Sequence, residues 1–148
     1  MTSTNTGKNL PGHLAGVRVL EMTGEHAQFC GKLMADLGAD VIKIEPPGGQ
    51  ETRKVGPFLK DEEHPERSLY FWHYNTSKRG VTLDITLPEG QEVFKKLAAT
   101  ATLILESFPA GYLPSIGLGY EALSENNPGL IMCSVTPFGQ DGPWRDYK

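Results

Sequence analysis

The fold is decided by residues 17–45, which read VRVLEMTGEHAQFCGKLMADLGADVIKIE. A β-rich run over residues 17–22 is closed by Thr23-Gly24, and a second run over residues 40–45 is stopped by Pro46-Pro47. Between them, apolar residues recur at the spacing of a helix, and Gly38 is placed to end it; they are Ala27, Cys30, Leu33, Met34 and Leu37. Two strands separated by one helix predict a βαβ unit with parallel strands and a right-handed crossover.

Glu45 ends the second predicted strand, where a dinucleotide-binding domain would place an acid that binds a ribose. Such a domain also needs a glycine-rich turn after its first strand, so that pyrophosphate can approach the backbone. Residues 23–27 read TGEHA, with one glycine followed by an acid. We therefore interpret the unit as one that does not bind NAD, and we expect Glu45 to cap the strand or to pair with a local cation.

The rest of the chain continues the alternation of strands and helices. Strands are predicted at 81–85, 102–106 and 130–135, and short helices at 112–116 and 120–125. Pro88 followed by an acid marks the start of another helix, whose predicted buried stripe is Val93, Phe94, Leu97 and Ala101. Residues 50–66 form a polar connection without a period of its own. The pattern predicts an α/β domain with an open, mainly parallel, Rossmann-like sheet and alternating helices.

Residues 68–80 read SLYFWHYNTSKRG and combine dense aromatic side chains with two adjacent cations. Aromatic faces suit a nucleotide base, and Lys78 and Arg79 suit phosphate through charge-assisted hydrogen bonds. The stretch is therefore a candidate nucleotide-binding site. The alternative is that the aromatic rings belong to the core and that the two cations form a solvated turn.

The composition of the chain argues against several classes of function. The chain has 148 residues, of which 22% are charged, and a formal net charge of -4, which argues against general nucleic-acid binding. Residues 1–13 are predicted to be a disordered tail without the apolar stretch of a signal peptide, and no run is long enough to span a membrane. Cys30 and Cys133 lack metal-ligand spacing, so we expect buried free thiols in a cytoplasmic protein, with no metal site and no covalently bound cofactor.

Six segments, taken in order, resemble the family III CoA-transferases, the group that includes carnitine dehydratase, bile-acid CoA-transferase and formyl-CoA transferase. They are ADLGADVIKIEPPGG at 35–49, NTSKRGVTLD at 75–84 with PEG at 88–90, ESFPAG at 106–111, LGYEAL at 118–123, NPGLI at 127–131 and FGQDGP at 138–143. The resemblance covers nearly the whole chain from Leu14 onward. It identifies residues 14–148 as the N-terminal portion of the large domain of such a transferase.

The resemblance implies an enzyme that moves CoA from an acyl-CoA to a carboxylic acid and that forms a homodimer when full length. It implies a nucleophilic aspartate that forms a mixed anhydride and then an enzyme–CoA thioester. The family position of that aspartate falls beyond Lys148, and Asp146 lies too early for it, so we expect the 148-residue chain to be inactive. The alternatives are an α-methylacyl-CoA racemase-like isomerase, which moves the α-proton, and a CoA-binding module without catalysis.

The residues expected to bind CoA follow from the same resemblance; they are Tyr74, Asn75, Lys78, Arg79, Phe108 and His26. His26 lies in the loop ahead of the first helix, where it either polarises a thioester carbonyl or simply starts the helix. Two positions depart from the family pattern, because Ser107 replaces a usual asparagine and Ser115 a usual arginine. No catalytic residue is assigned within the chain.

Overall fold

The sheet of the computed structural model, which describes residues 12–147, consists of five parallel strands. They are β1 (Arg18–Met22), β2 (Asp40–Glu45), β3 (Arg79–Thr82), β4 (Leu103–Glu106) and β5 (Ile131–Ser134), in the order β3-β2-β1-β4-β5. Every pair of neighbours is parallel, which confirms the predicted α/β class and the parallel βαβ unit. The predicted tail lies outside the described residues, except for Gly12 and His13, which belong to the turn before β1.

Helices cover both faces of the sheet. They are α1 (Gln28–Asp36), α2 (Leu69–Asn75), α3 (Pro88–Ala98), α4 (Tyr112–Ser115) and α5 (Tyr120–Ser124), with 3-10 turns at Glu51–Lys54 and Leu59–Asp61. The α1 helix ends as predicted at Gly38, whose φ of 98° suits a residue without a side chain. The aromatic run at 69–75, for which no helix was predicted, forms α2 and packs against α1.

Two apolar cores lie on opposite faces of the sheet, because successive side chains along each strand alternate in direction. The larger core packs α3, α4 and α5 against the strands, with Phe94, Leu113 and Leu123 buried beside Leu20 and Ile104. The smaller core lies under α1 and consists of Val19, Ala35, Ala39, Val41 and Leu105. This second face also carries charged side chains, as described below.

The α1 helix buries a different face from the one its apolar spacing suggests. Its buried residues are Gln28, Gly31 and Ala35, whereas Leu33 and Leu37 are each 48% exposed. A Cβ at Gly31 would overlap the Glu21 carboxylate, so this glycine allows the helix to lie directly on β1. In α3, Phe94 is fully buried, but Val93 is exposed, contrary to the prediction.

Three further expectations are corrected. The third strand spans Arg79–Thr82 and not residues 81–85, because the ladder with β2 begins at Arg79, opposite Ile42, and the chain turns at Asp84. Residues 50–66 contain two 3-10 turns. The two thiols are exposed and not buried; Cys30 lies on α1 and Cys133 on the edge strand β5.

The helices of residues 12–147 are all too short or too polar to cross a membrane.

Candidate functional site

A cleft of about 420 Å³ opens at the carboxyl ends of the strands. The order of the sheet reverses between β1 and β4, since β2 and β3 lie on one side of β1 and β4 and β5 on the other. Open parallel sheets bind ligands at such a switch point. Four residues at these strand ends line the cleft: Met22 ends β1 and Gly24 follows it, while Phe108 and Tyr112 follow β4.

Ser107 fixes the two loops that meet at the switch point. Its Oγ accepts a hydrogen bond from the Gly24 backbone N–H at 3.0 Å. The rings of Phe108 and Tyr112 lie next to it, with centroids 4.9 Å apart and planes inclined by 39°. The serine that departs from the family pattern therefore joins β1 to β4, and it places an aromatic wall beside the first loop.

Arg53 organises the opposite wall. Its guanidinium donates from Nε and Nη2 to the two oxygens of Glu45, at 2.6 and 2.8 Å, and its Cζ lies 3.8 Å from the centroid of Phe71. The Gln50 backbone N–H also donates to Glu45 Oε2, at 3.1 Å. Although burial raises the pKa of Glu45, these hydrogen bonds outweigh it and lower that pKa below its usual value. Glu45 therefore pairs with a local cation, one of the two roles expected for it.

The cleft wall carries carboxylates and no cation among the described residues that line it. Two of these carboxylates form ion pairs: Glu45 pairs with Arg53, and Glu51 pairs with Lys54 at 2.8 Å. A third, Asp84, accepts a hydrogen bond from the Thr86 hydroxyl at 2.6 Å. The remaining wall is largely aliphatic and includes Ile44, Val55, Leu83 and Ile85. An anionic group would therefore be repelled inside the cleft, whereas an uncharged group would be accepted.

Behind the first loop lies a buried charge cluster, which consists of Glu21, Lys43 and Lys78. Lys43 Nζ donates to Glu21 Oε1 at 2.9 Å and to the Thr23 carbonyl at 2.7 Å. Lys78 Nζ lies 2.7 Å from Glu21 Oε2. Thr23 Oγ1 donates to Glu21 Oε1 at 2.8 Å, so the loop that begins the switch point is held from below by the cluster.

Lys78 is almost wholly enclosed, with 1% of its side chain exposed. It donates to the Gln28 carbonyl at 2.7 Å and to Asn75 Oδ1 at 2.9 Å, in addition to Glu21. Burial lowers the pKa of Lys78 to about 8, although Glu21 opposes this effect. Asn75 in turn donates to Gln28 Oε1 at 3.2 Å, which links the end of α2 to the start of α1.

The structure places the six residues expected to bind CoA in four different locations. Phe108 lines the cleft, and His26 is exposed in the loop whose Gly24 and Glu25 also line it. Asn75 and Lys78 lie in or beside the buried charge cluster. Arg79 donates to both oxygens of Asp40, at 2.8 Å each, at the amino edge of the sheet, and the Tyr74 ring packs on Phe29 and Tyr70.

Sequence reasoning missed Gln50 and Thr52, which line the cleft from the polar connection after β2. The length of that connection was the only available pattern, since long loops often carry function. It also missed the buried charge cluster. Here a clear pattern existed, because Glu21 and Lys43 each interrupt an apolar strand and are direct neighbours in the parallel register.

A second, smaller cavity of about 230 Å³ lies at the carboxyl ends of β4 and β5, and Tyr112 lines both cavities. Glu106 is buried beside it and accepts from the Phe108 backbone N–H at 2.6 Å. Within residues 12–147, no group of three or more His, Cys, Asp or Glu side chains is arranged to hold a metal ion.

Known proteins resemble the chain in both sequence and structure. It is 45% identical over 130 residues to the succinyl-CoA:(R)-benzylsuccinate CoA-transferase subunit BbsE of Thauera aromatica, covering 88% of this chain and 32% of the relative. It is 41% identical over 138 residues to the succinate–glutarate CoA-transferase of Agrobacterium fabrum, covering 90% of this chain and 34% of the relative. The chain thus spans about a third of the length of these curated relatives.

Solved structures agree with this relationship. A CAIB/BAIF family protein from Brucella suis matches with a TM-score of 0.84 and 38% identity, over 93% of this chain and 37% of that protein. Rv3272 from Mycobacterium tuberculosis matches with a TM-score of 0.83 and 35% identity, over 93% of this chain and 38% of that protein. Residues 14–148 also match the sequence profile of CoA-transferase family III. The chain therefore belongs to CoA-transferase family III.

Proposed function

We propose that this chain is the CoA-binding part of a transferase that moves CoA between an acyl-CoA and a carboxylic acid. The family match over residues 14–148 is the observation that carries the proposal. The position of the cleft at the switch point of the sheet supports it, because this is where a parallel sheet offers a ligand site.

Succinyl-CoA is the proposed donor, and a dicarboxylic acid is the proposed acceptor. The relatives in Thauera aromatica and Agrobacterium fabrum carry succinate or succinyl-CoA in their names, together with benzylsuccinate or glutarate. A related protein of Chloroflexus aurantiacus, 44% identical over 138 residues, is named for succinyl-CoA and D-citramalate. Each of these acceptors is a dicarboxylic acid.

The proposed mechanism uses an aspartate as covalent nucleophile. Its carboxylate attacks the thioester carbonyl and releases CoA thiolate, which leaves a mixed anhydride; the thiolate then attacks the aspartyl carbonyl and releases the first acid. The acceptor carboxylate attacks the resulting enzyme–CoA thioester and expels CoA thiolate, which leaves a second mixed anhydride. The thiolate finally attacks the acceptor acyl carbonyl of that anhydride, which forms the new acyl-CoA and restores the aspartate. We place the nucleophile beyond Lys148 in the longer protein, so residues 1–148 alone should bind CoA without turning it over.

Within the cleft, Phe108 provides an apolar surface for CoA, and His26 lies at the rim. The wall is acidic, so the phosphates of CoA belong at the mouth, outside the carboxylates. The contact of CoA with Tyr74, Asn75, Lys78 and Arg79 that the resemblance implies is the alternative position for the ligand, since the polar and aromatic partners of these side chains in the structure are protein groups. A cytoplasmic location and a homodimer of the longer protein are part of the same proposal.

The proposal is tested by mixing the protein with succinyl-CoA and glutarate and separating the CoA esters by chromatography. We expect glutaryl-CoA from a longer protein that includes the next segment, and CoA binding without product from the 148-residue chain. Turnover by the 148-residue chain would contradict the placement of the nucleophile. Absence of CoA binding by both proteins would contradict the proposed function itself.

The racemase alternative is separated by a second measurement. An isomerase exchanges the α-proton of its acyl-CoA for solvent deuterium without any acceptor acid, whereas a transferase needs the acceptor for net product. We expect no deuterium incorporation when the longer protein is incubated with 2-methylacyl-CoA alone in D₂O. The curated relatives described above are all transferases, which supports this expectation.

A further inference from the structure

Two polar atoms in the cleft wall lack a hydrogen-bond partner among residues 12–147. They are Thr52 Oγ1 and Gln50 Oε1, and both atoms are shielded from solvent. Thr52 as a whole is only 5% exposed, and both residues line the cleft. Buried polar groups in folded proteins are nearly always paired, so two such atoms in one wall indicate a group that a ligand supplies.

The backbone around these side chains is held in place. The Gln50 N–H donates to Glu45 Oε2, and the Gln50 carbonyl accepts from the Arg53 N–H at 3.0 Å. Ser68, at the start of α2, donates from Oγ to the Val55 carbonyl at 2.5 Å, which anchors the end of the same 3-10 turn. The two orphaned atoms are therefore presented on a fixed frame, as a site that selects a ligand requires.

The chemistry of the two atoms restricts what they can bind. An amide oxygen only accepts, whereas a threonine hydroxyl can donate and accept, so together they match a group with an N–H donor beside an acceptor. The acidic wall excludes phosphate from the same space. The two parts of CoA that meet both conditions are the amino edge of adenine and the secondary amides of the pantetheine arm.

We propose that Thr52 and Gln50 select CoA by hydrogen-bonding an uncharged N–H-bearing part of it inside the cleft, while the phosphates remain outside. This inference rests on the proposed function, because it assumes that CoA is the ligand. It assigns the specificity to the connection after β2, at a distance from the aromatic and cationic stretch that follows it.

The test uses two variants of similar shape to the native side chains: Thr52→Val removes the hydroxyl, and Gln50→Met removes the side-chain amide. A third variant, Thr52→Ser, keeps the hydroxyl. Thr100→Val is the matched control, because the Thr100 hydroxyl donates to the Leu97 carbonyl at 2.8 Å and accepts from Arg18 Nη1 at 3.1 Å, at the amino ends of the strands and away from the cleft. Binding of CoA, adenosine and pantetheine is measured by titration calorimetry at low and raised salt, after circular dichroism has shown that each variant is folded.

We expect Thr52→Val and Gln50→Met each to weaken CoA binding by roughly fivefold, the effect of one neutral hydrogen bond, while Thr52→Ser and Thr100→Val retain the affinity. The same loss should appear with adenosine or with pantetheine, and the affected compound identifies the part of CoA in the cleft. Its binding should not depend on salt, because it carries no phosphate.

Two outcomes overturn the proposal in distinguishable ways. If the wild-type protein binds CoA and both isosteric variants bind it equally well, the inference fails and the proposed function stands. If the wild-type protein does not bind CoA at all, the proposed function fails and the inference fails with it.

Discussion

Lys78 Nζ lies 2.7 Å from Glu21 Oε2, and at most 1% of either side chain is exposed. Lys43 Nζ lies 2.9 Å from the other oxygen of the same carboxylate. The cluster thus contains two cations and one anion, all enclosed between β1, β2, α1 and the turn after α2. Because one carboxylate compensates both amines, the three residues should not contribute equally to stability.

We expect Glu21→Gln to destabilise the fold more than Lys78→Met. Removal of the carboxylate leaves two buried ammonium groups without a counter-charge, a defect of about 3–5 kcal/mol. Removal of Lys78 leaves the ion pair of Glu21 and Lys43, which has no net charge, and the methionine fills the space of the lysine stem. The free energy of unfolding, obtained from urea titration of each variant, checks the order.

Lys95→Met is the control for this comparison, since Lys95 is a surface residue paired with Glu92. It should change the free energy of unfolding by less than about 1 kcal/mol. Equal losses in Glu21→Gln and Lys78→Met would show that the carboxylate does not compensate both amines.

Lys78 should also impose a pH dependence on stability. Its pKa is about 8 in the folded protein and 10.5 for an ordinary lysine, so between these values the unfolded chain holds a proton that the folded chain has released. Stability increases with pH wherever the unfolded state binds more protons, by at most about 1.4 kcal/mol per pH unit for one group. The free energy of unfolding of the wild type should therefore rise relative to that of Lys78→Met as the pH increases from 8 to 9.5.

The comparison with Lys78→Met is needed because Cys30 and Tyr70 act in the opposite direction. Partial desolvation raises the pKa of both groups, even though Cys30 is exposed, so their contributions to stability fall as pH rises. A difference that stays flat over this range would show that Lys78 keeps its usual pKa in the folded protein.

Gly31 is expected to tolerate no side chain. Alanine normally stabilises a helix relative to glycine by about 1 kcal/mol, but here its Cβ would overlap the Glu21 carboxylate and lie 3.3 Å from Lys78 Nζ. Gly31→Ala should therefore lower the melting temperature. Gly80→Ala is the matched control, because a Cβ at Gly80 has nothing within 4 Å, and it should melt close to wild type.

The predictable part of this fold is local, as β2 and α3 illustrate. The apolar run between Asp40 and Pro46 predicts β2 with the bounds that the structure shows, and Pro88 predicts the first residue of α3. The position of β3 was not predictable in the same way, because it depends on its pairing with β2, in which Arg79 lies opposite Ile42. Such long-range pairing has no counterpart in a short sequence window.

The candidate site was predictable only in part. Phe108 is expected to bind CoA on the family resemblance alone, and the structure places it in the wall of the cleft just after β4. Lys78 was interpreted as a ligand cation, but its long side chain turns inward and reaches Glu21, 57 residues away in sequence. Gln50 and Thr52 are ordinary polar residues in a long connection, and only the folded chain brings them to the cleft.

Arg53 should be irreplaceable by lysine. Its planar guanidinium binds both oxygens of Glu45 and stacks on Phe71 at the same time, whereas an ammonium offers neither geometry. Since Glu45 is buried, loss of this pairing leaves a poorly compensated carboxylate beside the cleft. We expect Arg53→Lys to lower the free energy of unfolding by about 2–4 kcal/mol, measured by urea titration at pH 7.

Lys54→Arg is the control for this substitution, because Lys54 is exposed and, within residues 12–147, pairs only with Glu51. It should leave the urea midpoint unchanged within about 0.5 kcal/mol. An Arg53→Lys protein as stable as wild type would show that charge alone, without the fork geometry, satisfies Glu45.

Substitution of Phe108 and of Arg79 separates the cleft from the cationic stretch as the place where CoA binds. Phe108 is part of the aromatic wall of the cleft, so Phe108→Ala should weaken CoA binding by roughly tenfold through loss of apolar contact. Arg79 lies at the amino edge of the sheet, where both oxygens of Asp40 engage its guanidinium. We therefore expect Arg79→Met to leave the dissociation constant for CoA nearly unchanged and to lower stability modestly. The opposite result, loss of binding in Arg79→Met but not in Phe108→Ala, would move the CoA site to the cationic stretch and away from the carboxyl ends of the strands.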